Sequence, residues 1–305
     1  MATPAKRRPE NVPGDLFVDT TCIDCDTCRW MAPGVFEAVG DMSAVARQPA
    51  GEAEWRAALQ ALVSCPTASI GTEAKHGMEA VLASFPIPIP EAGDDADAGE
   101  RAAADVFHSG YHDEASFGAA SYLVVRPEGN VLVDAPRFAK PLVRRLEELG
   151  GVRTLFLTHR DDVGDHERFR EHFGCERVLH AGDATGKLRH VEHVVEEYRP
   201  VALAEDLLVV PTPGHTRGSA CLLYRDTFLF SGDHVAWSER LGHVYAFRSA
   251  CWYDWDVQAD SMRRLADHRF SWILPGHGRR CRIEPGRMRA EILAAAEWME
   301  RVGAA

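Results

Sequence analysis

Four apolar segments in the second half of the chain each lead into a turn that carries a histidine or an aspartate. The turns read Thr158-His-Arg-Asp-Asp-Val-Gly-Asp-His166, Pro213-Gly-His-Thr-Arg-Gly-Ser219, Ser231-Gly-Asp-His234 and Pro275-Gly-His-Gly278. Apolar runs of this length predict buried strands, and glycine or proline lets the backbone turn sharply where a strand ends. The sequence therefore predicts strands whose ends present polar side chains.

The first of these turns holds the densest set of metal-ligand side chains. Two histidines and three aspartates fall within the eight residues from His159 to His166. Imidazole nitrogens and carboxylate oxygens hold divalent transition metals without thiolate. Alone, this stretch is equally consistent with a charged, solvated loop between a strand and a helix. The repetition of the pattern in three later turns favours a metal site.

Taken together, the four turns resemble those of the metallo-β-lactamase fold superfamily of metal-dependent hydrolases. The superfamily pattern is a His-x-His-x-Asp-His turn, followed by Gly-His-Thr, Gly-Asp and Gly-His turns. The counterparts here start at His159 and continue with His215, Asp233 and His277, and the resemblance covers roughly residues 106–280. It implies an α/β fold, the four-layer αββα sandwich, whereas periodicity alone indicates only mixed α and β structure.

The resemblance also implies a ligand set for two divalent metals, zinc or iron. The first metal would take His159, Asp161 and His215, the second would take Asp165, His166 and His277, and Asp233 would bridge them. Asp165 and Asp233 are the implied catalytic carboxylates. The first turn departs from the pattern, because Asp161 replaces the second histidine and the Asp-His pair follows two residues late. Asp162 is the alternative ligand, and the extra carboxylate favours iron or manganese over an all-imidazole site.

Cysteines define the N-terminal part of the chain. Cys22, Cys25 and Cys28 are separated by two-residue gaps, and Cys65 follows later, directly before a proline. Soft thiolates suit zinc or an iron–sulfur cluster. The pattern resembles a bacterial-type ferredoxin with one [4Fe–4S] cluster, which implies that all four cysteines bind it. A structural zinc site and a cluster that has lost one iron are the alternatives.

Composition and turn signals divide the chain into four parts. They are a flexible tail over 1–14, a small α+β ferredoxin-like domain over 15–75, a linker over 76–105 and a metallo-β-lactamase-fold domain over 106–305. The linker is predicted from a proline-rich run that ends at Pro90 and from the acidic stretch 91–100, which has no large apolar side chain.

Hydrophobic periodicity predicts the main elements around these motifs. The predicted helices are 52–63, 140–149, 166–173, 256–267 and 287–301, and the predicted strands are 121–125, 130–134, 154–158, 207–211, 221–224, 227–231 and 272–274.

Charge and cysteine usage limit the partners and the compartment. A formal net charge of −12 disfavours non-specific nucleic-acid binding. No apolar run is long enough to span a membrane, and no export signal is evident. Eight cysteines without such a signal indicate a reducing, cytoplasmic location. The expected partners are a small-molecule substrate and a redox partner protein, with neither nucleic acid nor membrane.

These features support three functional hypotheses. The favoured one is a binuclear metallo-hydrolase that uses a metal-bound hydroxide on an ester, thioester or related bond. The alternative is a di-iron oxidoreductase whose metal centre receives electrons from its own ferredoxin domain. A non-catalytic redox or binding module is disfavoured, because the ligand series is nearly complete. The substrate, the metal, the role of the cluster and the oligomeric state are not specified by the sequence.

Overall fold

The computed structural model describes residues 2–89 and 105–303. The acidic stretch of the predicted linker, residues 91–100, lies outside these ranges. Part of the linker that is described is folded, since residues 79–83 form a helix and Phe85 and Ile89 are buried.

The N-terminal part is a small α+β unit, as predicted. It contains α1 (Thr27–Met31), α2 (Glu52–Ser64), β1 (Leu16–Val18), β2 (Phe36–Val39), β3 (Met42–Val45) and β4 (Ile70–Thr72). β1 pairs with β4 and β2 pairs with β3, both antiparallel. Side chains from these six elements form one apolar cluster. The short α3 (Glu79–Ala83) follows.

Residues 2–14 pack against this unit rather than forming a free tail. The buried Asn11 side chain donates to the Val18 carbonyl at 2.8 Å and accepts from the Val45 N–H at 3.0 Å. The Arg8 guanidinium donates to the Ser43 carbonyl at 2.7 Å. These polar contacts, which composition does not reveal, hold the segment where a flexible tail was predicted.

Two sheets make up the larger part of the chain. The first contains β5 (Ile87–Pro88), β6 (Val106–His108), β7 (Tyr122–Val124), β8 (Val131–Val133), β9 (Thr154–Phe156), β10 (Glu176–His180) and β11 (His193–Val195), in the order β11-β10-β9-β8-β7-β6-β5. The second contains β12 (Val201–Ala204), β13 (Leu207–Pro211), β14 (Ala220–Tyr224), β15 (Phe228–Gly232), β18 (Trp272–Pro275) and β19 (Cys281–Arg282), in that order. A separate hairpin joins β16 (Ala236–Ser238) to β17 (His243–Tyr245).

The two sheets stack face to face, with helices on both outer sides. The helices are α4 (Lys140–Glu148), α5 (His166–Phe173), α6 (Trp255–Leu265) and α7 (Pro285–Gly303). Phe156 of the first sheet and Phe230 of the second share the central core. Leu132 points outward to the cluster that contains α4 and α5, and Ile273 points to the cluster that contains α6 and α7. Central strands of both sheets are buried on both faces, which explains why their sequences are continuous apolar runs. This layering confirms the predicted αββα sandwich.

The strand ends bring the polar turns together. β15 and β18 run parallel with Gly232 paired to Pro275, so the turns that follow them leave the same edge of the second sheet. The first sheet joins there, because the Ala220 N–H donates to the Thr158 carbonyl at 2.9 Å. A side chain at Gly232, where φ is +49°, would lie 2.5 Å from Thr158 Oγ1. Glycine thus permits the close approach of the first and third turns.

Candidate metal centre

Histidine and carboxylate donors converge on Asp233 at this edge. Asp233 Oδ2 lies 3.9 Å from His159 Nε2 and 3.7 Å from His215 Nε2. Asp161 Oδ2 lies 3.7 Å from the same nitrogen of His215. Donors of His159, Asp161 and His215 lie within 4.8 Å of one another, close enough to hold one metal ion.

A second group forms around the same carboxylate. His277 Nδ1 lies 2.9 Å from Asp233 Oδ1 and 3.7 Å from Asp162 Oδ2. The same oxygen of Asp162 lies 3.7 Å from His159 Nε2. Donors of His159, Asp162 and Asp233 form a second set that could hold a metal ion. Asp233 is thus shared between two groups of donors.

The donors have the properties of a cation site. Among the described residues, His159 Nε2, both nitrogens of His215 and Asp162 Oδ2 are buried and have no hydrogen-bond partner. Buried polar atoms in folded proteins are normally paired, so this set of unpaired donors fits a bound metal. Asp161, the carboxylate of the first donor group, is more exposed, since 43% of its side-chain surface is accessible to solvent.

The electrostatics of the centre reflect crowded carboxylates in a buried place. Burial and the nearby Asp233 carboxylate raise the pKa of Asp162 well above its ordinary value. Burial lowers the pKa of His159 to about 3, which keeps that imidazole neutral and able to bind a metal. Burial disfavours the charged form of His277, but Asp233 and Asp162 outweigh it and raise its pKa to about 10.

Asp165 and His166, expected as ligands of the second metal, are not brought to this cluster. Asp165 Oδ2 accepts from the Phe138 N–H at 2.7 Å and pairs with Arg168 at 3.1 Å. His166 begins α5, and its Nδ1 lies 3.1 Å from Arg177 Nη1. The second donor group contains Asp162 instead.

A hydrogen-bonded relay orients His159. The Thr158 hydroxyl donates to Asp134, with Oδ2 at 2.9 Å, and it lies 3.0 Å from His159 Nδ1. Because the hydroxyl proton is used on Asp134, the hydroxyl oxygen accepts from Nδ1–H. This assigns the tautomer whose Nε2 lone pair faces the centre. Burial raises the pKa of Asp134 to about 7.

The four cysteines predicted to bind a cluster lie together as free thiols. Burial is the main cause that raises the pKa of the Cys28 thiol. The charges of the neighbouring Cys25, Cys65 and Cys22 raise it further. The Ser43 N–H lies 3.4 Å from the Cys22 sulfur, and the Ser69 N–H lies 3.3 Å from the Cys65 sulfur. Backbone N–H groups that donate to sulfur are typical of iron–sulfur sites, so these residues fit the predicted cluster.

One short segment separates a cluster cysteine from the metal centre. A side chain at Gly118, where φ is +83°, would lie 2.8 Å from Cys25 Cβ and 3.0 Å from its sulfur. The preceding ring, that of Phe117, lies 6.0 Å from the His277 ring. On the same side, His112 Nδ1 lies 3.0 Å from the Thr27 hydroxyl oxygen, within hydrogen-bond distance. Residues 117–118 therefore contact both candidate cofactor sites.

Both sites also open into one cavity of about 1170 Å³. The cavity is lined by Cys25 from the N-terminal unit and by donors of the centre, namely Asp161, Asp162, His215, Asp233 and His277. Aromatic side chains also line it, namely Phe36, Phe117, Tyr245, Phe247 and Trp252, together with charged side chains that include Arg29, Arg160 and Arg279. A small molecule in this space would be near the metal donors and the cluster cysteine at once.

Several other polar residues lie near the centre, and the motifs in the sequence do not single them out. Asp134 and Thr158 end predicted strands, but only the folded arrangement shows that they orient His159. His108 and His112 are buried, and their Nε2 atoms lie 2.8 Å apart, within hydrogen-bond distance. His234 is buried and unpaired, and it belongs to neither donor group.

Comparison with known proteins identifies the N-terminal part. Residues 18–72 match the family model described as the 4Fe-4S single cluster domain of Ferredoxin I. This part of the chain is a ferredoxin-type domain. The match contains Cys22, Cys25, Cys28 and Cys65, and it confirms the resemblance seen in the sequence.

The larger domain has relatives and structural neighbours of low identity. The uncharacterized protein YobT of Bacillus subtilis (strain 168) is 26% identical over 216 residues, which cover 59% of this chain and 92% of YobT. ETHE1 from Myxococcus xanthus superposes with a TM-score of 0.47 at 20% identity, over 63% of this chain and 85% of ETHE1. BLEG-1 B3 metallo-beta-lactamase superposes with a TM-score of 0.49 at 16% identity, over 64% of this chain and 99% of BLEG-1.

Within residues 2–89 and 105–303, no helix combines the length and the apolar character needed to cross a membrane.

Proposed function

We propose that this protein is an oxidoreductase in which the ferredoxin-type domain passes electrons to a carboxylate-rich metal centre that acts on a small molecule. The shared cavity carries this proposal, because Cys25 and donors of the centre line the same space. A cluster that only stabilised the fold would not need to open toward the donors of a second centre. The geometry thus favours the redox alternative over the hydrolase that the sequence resemblance favoured.

We assign the ligands from the two donor groups. One metal takes His159, Asp161 and His215, the other takes Asp162 and His277, and Asp233 serves both. Asp162 replaces the expected pair Asp165 and His166. Three carboxylates in so small a site suit iron or manganese better than an all-imidazole set does, and we assign iron.

Residues of the chain prepare this chemistry. When bound, the cluster supplies single electrons and the metal pair polarises an oxygen-bearing group of the substrate. Thr158 holds the His159 ring in the ligating tautomer. Arg29 bonds Asp24 at 2.6 Å and Asp26 at 2.5 Å, which neutralises the acidic residues beside the cysteines. The substrate enters through the cavity, and a redox partner protein supplies the electrons.

Hydrolysis of an ester or thioester is the second candidate. The buried, unpaired nitrogens of His159 and His215 favour it, since imidazole-held zinc can lower the pKa of bound water to about 7. In that case the cluster would be a structural element or a sensor. His215→Ala would then abolish cleavage of a test thioester.

Metal content tests the assignment directly. We expect anaerobically purified full-length protein to contain about six iron and about four acid-labile sulfide, as one [4Fe–4S] cluster and an iron pair require. His215→Ala should lose the iron pair and keep the cluster. About four iron with two zinc per chain, together with thioester cleavage, would replace the redox proposal with the hydrolytic one.

A further inference from the structure

We propose that the cavity binds a planar aromatic substrate between Trp252 and Phe117, with an oxygen-bearing group of that substrate directed at the metal donors. This inference rests on the proposed function only in placing the substrate at the metal centre. It adds the class of substrate and the two residues that select it.

Both rings are exposed where large apolar side chains normally are not. Trp252 is 61% exposed and Phe117 is 54% exposed. Three other large apolar residues of the described chain are exposed, Val194, Tyr198 and Tyr253, but none of them lines the cavity. Exposed aromatic surface in a cavity is typical of a ligand site.

Each ring also stands beside a histidine of the centre. The Trp252 ring lies 6.5 Å from the His215 ring, and the Phe117 ring lies 6.0 Å from the His277 ring. The backbone N–H of Trp252 donates to the backbone carbonyl of His215 at 2.9 Å, which holds the two residues side by side. The two aromatic residues therefore flank the two donor groups.

Phe117 keeps this position against its backbone preference. Its φ is +48°, in the left-handed region that non-glycine residues rarely adopt. The Phe117 N–H donates to the Glu114 carbonyl at 3.1 Å, and the next residue, Gly118, is packed on Cys25. An exposed apolar ring held in an unfavourable conformation indicates a functional constraint rather than packing.

The rest of the cavity fits the same ligand. Phe36, Tyr245 and Phe247 add aromatic surface to the lining, which also contains the donors that could face a substrate group. A volume of about 1170 Å³ is far more than a metal-bound water needs and accepts a drug-sized molecule. Aromatic rings favour offset stacking or edge-to-face contact with a planar conjugated ligand. The geometry therefore selects an aromatic molecule with a carboxylate, carbonyl or hydroxyl group.

Calorimetric titration of the metal-loaded, oxidised full-length protein tests this inference. The probe is 2-naphthoate, and cyclohexanecarboxylate, which has the same carboxylate but no aromatic plane, is the control ligand. We expect 2-naphthoate to bind at least about tenfold more tightly than the control. Trp252→Ala and Phe117→Leu should each weaken 2-naphthoate about tenfold and leave cyclohexanecarboxylate nearly unchanged.

Tyr253→Ala is the matched control variant, because Tyr253 is 51% exposed, neighbours Trp252 and does not line the cavity. It should bind 2-naphthoate like the unmodified protein. The inference is overturned if 2-naphthoate does not bind, if it binds no better than cyclohexanecarboxylate, or if both ring variants bind it unchanged. Thermal unfolding and the metal content of each variant show whether a loss of 2-naphthoate affinity comes from misfolding. Phe117→Tyr, which keeps the aromatic ring, should bind 2-naphthoate like the unmodified protein.

No reductant is present in this titration. Its outcome is therefore independent of electron transfer, and a failed redox proposal would leave the aromatic site intact. Conversely, if the protein is redox-active but binds both probes with equal affinity, this inference is overturned and the redox proposal remains.

Discussion

At the scale of single residues, the centre depends on groups that do not themselves bind metal. Thr158 fixes the His159 tautomer and is in turn held by Asp134. We predict that Thr158→Val, which keeps the shape but removes the hydroxyl, weakens metal affinity by about 10- to 100-fold. Competition with a chromogenic chelator measures this affinity.

Thr212→Val is the control for that variant. Thr212 is also buried, its hydroxyl lies 3.5 Å from the Cys221 sulfur, and it belongs to neither donor group. It should leave the metal affinity unchanged. Equal affinities for the two variants would show that Thr158 has no orienting role.

Gly118 permits the closest contact between the larger domain and a cluster cysteine. We predict that Gly118→Ala lowers the cluster content, because its Cβ would meet the Cys25 side chain and its φ of +83° strains any other residue. Iron and acid-labile sulfide per chain measure the loss.

Gly40→Ala separates the two causes. Gly40 also has a positive φ, +67°, but a Cβ there would meet nothing within 4 Å. It should share the backbone strain and retain the cluster. A similar loss of cluster in both variants would argue that strain, not contact with Cys25, is responsible.

The sequence contains the motifs of most residues that the proposed site uses, but it does not indicate the path of the first turn. Cys25, His159, His215 and His277 follow motifs with recognisable spacing. The proposed ligand position of Asp162 depends on how the backbone turns after it. A Cβ at Gly164, where φ is +41°, would lie 2.3 Å from the Ala135 carbonyl oxygen, so glycine permits this turn. This local turn, which spacing does not encode, directs Asp165 to the Phe138 N–H instead.

At the scale of elements, α6 positions the second metal turn. Its N-cap residue, Asp254, accepts from the Val257 N–H at 3.0 Å, and the Asp254 N–H donates to the Gly214 carbonyl at 3.0 Å. We predict that Asp254→Ala destabilises the fold by about 0.5–2 kcal/mol, the usual loss for an N-cap. Urea unfolding, followed by circular dichroism, measures the change.

Asp254→Asn should restore most of that stability, since asparagine caps helices as well as aspartate does. If the Asn variant is as unstable as the Ala variant, the charge rather than the cap is what matters. If neither variant loses stability, α6 does not depend on this bond.

Long elements were the most predictable part of the fold. The helix predicted over 166–173 has those bounds, and the strand predicted over 207–211 is β13. The edge strands β11 and β12 were not predicted, nor was β10, which lies next to β11. β12 is largely half-exposed and β11 has two exposed residues, so a continuous apolar run does not mark them. The segment predicted as a flexible tail over 1–14 packs on the N-terminal unit over residues 2–14, because polar contacts of Arg8 and Asn11 hold it there.

At the scale of the whole molecule, the cysteine unit and the metal centre meet at residues 117–118 and share a cavity. Each motif can be found separately in the sequence. Their contact depends on how two independently recognisable units dock, which no spacing along the chain reports. The redox proposal depends on this docking rather than on either motif.

The most direct test is electron paramagnetic resonance of the anaerobic protein during stepwise reduction with dithionite. We predict that one electron first reduces the cluster and that further electrons produce a separate signal from a coupled iron pair. His215→Ala should keep the cluster signal and lose the second one. A cluster that reduces normally while the centre shows no change at any level of reduction would contradict electron delivery from the ferredoxin-type domain.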